Sequence, residues 1–114
     1  MAGFSLQPDS GLALSVAVVS ITATSNAVIA GSANQYIKVY KLFLVENTPA
    51  VTIQFQDGTT ALSGALPLSA NGAITLDLDG TPWFTCSAGN AFTIAQSGTT
   101  QISGTIYYTM TPYR

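Results

Sequence analysis

Asp77 and Asp79 stand two residues apart in the stretch NGAITLDLDG. On a β-strand that spacing puts both carboxylates on one face. Paired carboxylates are the machinery of glycoside hydrolysis, but neighbours on one strand face lie closer together than an inverting pair requires. The simpler expectation is that they form the solvated side of that strand. The same two residues together with Asp57 offer oxygens to a Ca²⁺ ion, which takes six or more oxygen ligands, yet no recognisable calcium loop surrounds them. The expected sets of catalytic residues, metal ligands and cofactor-binding residues are therefore empty.

Other chemistry is limited by what the chain lacks. It contains no histidine, so it has neither a Ser-His nor a Cys-His nucleophile pair and no imidazole metal ligand. Cys86 is the sole cysteine. With no Lys or Arg near it in sequence to lower its pKa, a buried structural thiol is expected. Lys38 and Lys41 alternate with Tyr36 and Tyr40 in YIKVYK. Two cations are too few for a nucleic-acid track, and lysines lying along an amphipathic strand edge are expected instead. Trp83-Phe84 follows a proline and is expected to plug the core, the alternative being an exposed carbohydrate platform.

The whole chain sets the frame for these residues. At 114 residues it suits one domain. Charged residues make up 7% of it, against about 25% in ordinary soluble domains. Five acidic and three basic side chains give a net charge of −2, with no basic cluster to attract nucleic acid or an anionic membrane. Ser, Thr, Asn and Gln supply the polarity, as in short exposed strands and turns. Few charges leave little repulsion between neutral faces, so such a body suits a subunit whose surface is covered by other subunits. No stretch approaches the roughly 20 apolar residues of a membrane helix. The run LALSVAVVS at 12–20 lacks the positive flank of a secretory signal and follows Asp9, so no export by its own signal is expected.

Positioning falls to strands. Residues 1–11 hold Pro8, Ser10 and Gly11 around isolated Phe4 and Leu6, which predicts an extended arm; the remaining 12–114 form the domain. From Leu12 the apolar parity is even through Val18 and then odd from Val19, predicting a β-bulge near Val18 and Val19. Val28-Ile29 is expected at a sheet edge. YIKVYKLFLV is apolar on both parities and is predicted to be a central strand covered on each face. VTIQFQDG alternates strictly and ends at an Asp57-Gly58 turn. In GALPLSANGAITLDLDG, Asn71-Gly72 predicts a hairpin whose returning strand carries Ile74, Leu76 and Leu78, with Pro67 confining the first run to an edge or bulge. Gly104 in the last strand predicts a bulge or a close approach by another backbone or ring. The fold class is all-β: one compact antiparallel β-sandwich or jelly roll of about eight short strands.

The series from YIKVYK through VTIQFQDG, GALPLSANGAI, PWF and GNAFTI to QISGTIYYTM, over residues 26–110, resembles the small β-sandwich virion proteins of tailed bacteriophages. The resemblance implies a capsid decoration or cement protein on the outer shell of the virion, synthesised in the host bacterial cytoplasm. It implies a homotrimer whose partner is the major capsid protein, with no nucleic acid, membrane or small-molecule substrate and no enzymatic activity. The interaction candidates are Phe4 and Leu6 in the arm and Tyr107, Tyr108 and Tyr113 in the terminal aromatic group. An alternative is a tail or fibre module that binds host glycans through Trp83 and the tyrosines. A glycan-processing enzyme using Asp77 and Asp79 is the third class.

Overall fold

A computed structural model describes residues 13–112. The arm, with Phe4 and Leu6, and Tyr113 lie outside the described residues. The elements are β1 (Ser15–Ile21), β2 (Ser25–Ile29), β3 (Gln35–Glu46), β4 (Val51–Asp57), β5 (Thr60–Ala61), β6 (Leu66–Leu68), β7 (Ala73–Leu76), β8 (Phe84–Thr85), β9 (Phe92–Gln96) and β10 (Ile102–Pro112). All pairings are antiparallel, and no helix occurs among the described residues. Sheet A runs β1-β10-β3-β7, with β8 also on β3; sheet B runs β2-β9-β4-β5, with β6 also on β4. The two sheets form a β-sandwich, the fold class that the alternation predicts.

Its core comes from the inward parity of each strand. Val51, Ile53 and Phe55 of β4 are buried and Thr52, Gln54 and Gln56 face out, as the alternation requires. Phe55 packs on Phe84 and Phe92 with ring centroids 4.9 and 5.8 Å away, and Phe84 lies 5.8 Å from Phe92. Burying each such side chain contributes about 1.5–3 kcal/mol. Ile37, Val39, Leu42, Leu44, Ile102 and Ile106 close the core from sheet A.

Several local expectations hold. β2, with Val28 and Ile29, is an edge strand. Asp57-Gly58 turns β4 into β5, with Gly58 at φ +63°. Pro67 is exposed on the edge strand β6, where its missing N–H removes no ladder bond. At Gly104 a Cβ would collide with the Phe43 carbonyl oxygen, so the glycine answers to a close backbone approach.

Three expectations are corrected. β1 pairs with β10 without a register shift from Ser15↔Tyr108 to Ile21↔Ile102, so no bulge lies at Val18 and Val19. Ala17, Val19 and Ile21 turn inward while Val16 and Val18 turn out; the parity change reflects apolar residues on both faces of one regular strand. In β3 the bulge is real. Pairing passes from Tyr107↔Lys41 to Tyr108↔Val39 and skips Tyr40, so inward parity moves from Ile37 and Val39 to Leu42 and Leu44. The strand is central, but Phe43 and Val45 are exposed, so among the described residues nothing covers its second face there.

The third correction concerns residues 66–76. β6 pairs with β4 in sheet B, whereas β7 pairs with β3 in sheet A. The Asn71-Gly72 turn exists, with Asn71 at φ +61° and the Gly72 N–H donating to the Ser69 carbonyl at 2.8 Å. It is a corner between sheets, not a hairpin. The Glu46 N–H donates to the Gly72 carbonyl at 2.9 Å and the Asn71 N–H to the Asn47 carbonyl at 3.2 Å, tying the corner to the end of β3. A hairpin and a corner demand the same positive-φ residue, so turn chemistry cannot separate them.

Candidate interaction surfaces

The titratable residues are dispersed. β7 closes at Leu76, so Asp77 and Asp79 lie past the strand, both exposed, and share no strand face. Asp57, at the end of β4, turns inward and holds the loop that follows β8. Its Oδ2 accepts from the Ser87 N–H at 3.0 Å and the Ser87 hydroxyl at 2.9 Å, and its Oδ1 from the Asn90 amide at 2.9 Å. Burial pushes its pKa up, but the Ser87 backbone, Asn90 and Ser87 side-chain bonds outweigh it and hold the carboxyl below its ordinary 3.8. With its oxygens taken by these donors, Asp57 acts as a loop clamp. Among the described residues no group of three or more His, Cys, Asp or Glu is placed to hold a metal ion.

Cys86 sits beside this clamp, fully buried and free, its thiol within 3.8 Å of the Ala91 carbonyl. Burial, with the Asp57 charge adding to it, pushes the thiol up to about 12. This is the structural thiol the sequence predicts. Glu46 is also buried, and neither carboxyl oxygen has a hydrogen-bond partner among the described residues. Sequence reasoning missed it: a terminal Glu after an apolar run reads as a strand leaving the core.

The outer faces of the sheets carry the surface chemistry. On sheet A the register aligns Val16–Tyr107–Lys41, then Val18–Thr105–Phe43–Thr75, then Ser20–Ser103–Val45–Ala73. Val18 is 79% exposed, Val16 54%, Val45 45% and Phe43 42%. Apart from Trp83, no other large apolar side chain among the described residues is so open to solvent. The Lys41 ammonium lies over the Tyr107 ring, 5.4 Å from its centroid. Of the tyrosine candidates, Tyr107 belongs to this face, whereas Tyr108 packs against the core, because neighbours on a strand point oppositely. The double apolar parity of β1 was the available signal for Val16 and Val18.

Sheet B differs. Its strands contain one charged residue, the buried Asp57. Outward stand Gln54, Gln56, Thr52, Ala95 and Ala27, with the Gln56 amide donating to Gln54 Oε1 at 2.7 Å. Trp83 is the correction to the expected core pair. Phe84 enters the aromatic cluster, but Trp83 is 46% exposed, its indole N–H donating to the Asp77 carbonyl at 2.7 Å. No helix among the described residues is long and apolar enough to cross a membrane. No protein-family model matches the chain, and neither a curated protein nor a solved structure does.

Proposed function

We propose that this chain is a structural virion subunit, a capsid decoration protein that binds an assembled phage shell and braces neighbouring major capsid subunits. The observation that carries this reading is the charge-free outer face of sheet B, where amides, hydroxyls and small apolar groups can dock on another protein without desolvating an ion. The family resemblance of residues 26–110 points the same way. The mechanism is linkage: a rigid sandwich that binds only the closed shell adds contacts that must break before the shell opens. No bond is made or cut.

The test is co-sedimentation with phage shells stripped of the protein, followed by heating. Added protein should co-sediment and raise the temperature at which the packaged DNA escapes. The variant Q54E/Q56E, which places two like charges on the sheet B face, should fold and fail to co-sediment. Wild-type protein that leaves the shells unbound, or binds without delaying rupture, defeats the proposal. The exposed Trp83 favours a second reading, a tail module that stacks on host glycans. There, Trp83→Ala should abolish binding to host cells, and the protein should be found on tails.

A further inference from the structure

The outer face of sheet A has a relief of ridges and grooves along its strands. β1 raises Val16 and Val18, β10 is low at Thr105 and Ser103, β3 is high again at Phe43 and Val45, and β7 is low at Thr75 and Ala73. The order across the Val18 row is therefore high, low, high, low, while in the next row Val45 alone stands above Ser20, Ser103 and Ala73. A half-turn about an axis parallel to the strands, placed between β10 and β3, reverses that order to low, high, low, high. Two copies so related interlock. The Phe43 and Val45 ridge of each drops into the Thr105 and Ser103 groove of the other, and Val18 meets Thr75. Turned about an axis across the strands instead, ridge would meet ridge.

We infer that this face is where two copies of the chain pair, through an interface related by a two-fold axis. Charge agrees with geometry. In these three rows Lys41 alone is charged, so the only repulsion a copy of this face can meet there is between the two Lys41 side chains. The half-turn sets each Lys41 opposite the Tyr107 of the other copy and away from the second Lys41, which keeps a cation over a ring. The four strands at about 4.8 Å and the seven residues of β1 at about 3.3 Å give a face of roughly 19 by 23 Å, or about 440 Å² per copy. Because β7 has only four residues, the pair buries at most about 900 Å², below the roughly 1,200–2,000 Å² of stable specific interfaces, so pairing is weak and depends on concentration. A trimer is what the family resemblance implies; the relief of this face suits two copies.

Light scattering and sedimentation of the intact chain without any shell test this apart from the proposed function. The mass should rise from one chain towards two between about 10 μM and about 1 mM, the range of weak contacts. Val18→Asp should keep the same circular dichroism and melting temperature, since Val18 is 79% exposed, and weaken pairing about tenfold or more, because a carboxylate would be stripped of water with no cation opposite it. As a second measurement, Val18→Cys with Thr75→Cys is treated with a short bis-maleimide. The two sites lie three strands, about 14 Å, apart in one chain and face each other across the pair. A double-length chain on a denaturing gel is expected from the double variant and not from either single one; the buried Cys86 thiol stays silent. A single-chain mass throughout, a mass of three chains, association that V18D leaves intact, or absence of the double-length band overturns the inference.

Discussion

Asp57→Asn isolates the clamp between β4 and the loop of Ser87 and Asn90. The carboxylate accepts from three donors at 2.9–3.0 Å. An asparagine of the same shape removes the charge and turns an NH₂ towards at least one of those donors. Hydrogen bonds to a charged group are worth about 1.5–3 kcal/mol each, but Ser87 and Asn90 are exposed and a freed donor can bond water, so a net cost of about 1–3 kcal/mol is expected at neutral pH. In urea unfolding that moves the midpoint down by about 1–2 M. The pH dependence has a definite sign. The folded carboxyl titrates below its ordinary 3.8, so its stabilisation is complete above that value and fades as pH falls through the folded pKa. The gap between wild type and D57N should be widest near pH 7 and narrow below about pH 4. Equal urea midpoints at neutral pH, or a gap that persists unchanged into acid, would refute the clamp.

Gly104→Ala should cost about 2–4 kcal/mol in thermal or urea unfolding, since its Cβ meets the Phe43 carbonyl oxygen. Gly64→Ala, with nothing within 4 Å of the added Cβ, is the control and should be neutral or slightly stabilising. Glu46→Leu replaces a buried carboxyl that has no hydrogen-bond partner among the described residues and should raise stability by about 1–2 kcal/mol; a loss instead would show that the carboxyl has a partner in solution. Cys86, with its thiol raised to about 12, should resist a thiol-specific dye at about pH 8 in the native protein and react fully once unfolded in urea. Rapid native labelling would contradict its burial.

Much of the molecule is legible along the chain. The alternation of VTIQFQDG set the inward face of β4, because successive side chains of a strand point to opposite sides whatever partner it finds. Turn residues marked where strands stop, since Gly58 and Asn71 adopt positive φ for local reasons. The charge shortage was visible in composition and announced outer faces poor in charge, and the absence of histidine closed off whole classes of chemistry.

Tertiary structure decided what depends on distant pairing. Whether Asn71-Gly72 closes a hairpin or a corner is settled by β3 and β4, which claim β7 and β6 for different sheets. The bulge at Tyr40 exists only relative to β10, about 65 residues on, so the double parity of β3 could not distinguish a bulge from a doubly covered strand. The same ambiguity in β1 resolved the other way and left Val16 and Val18 facing water. Local sequence fixes which way a side chain points from its own strand; only the neighbouring strands fix what, if anything, stands on that side.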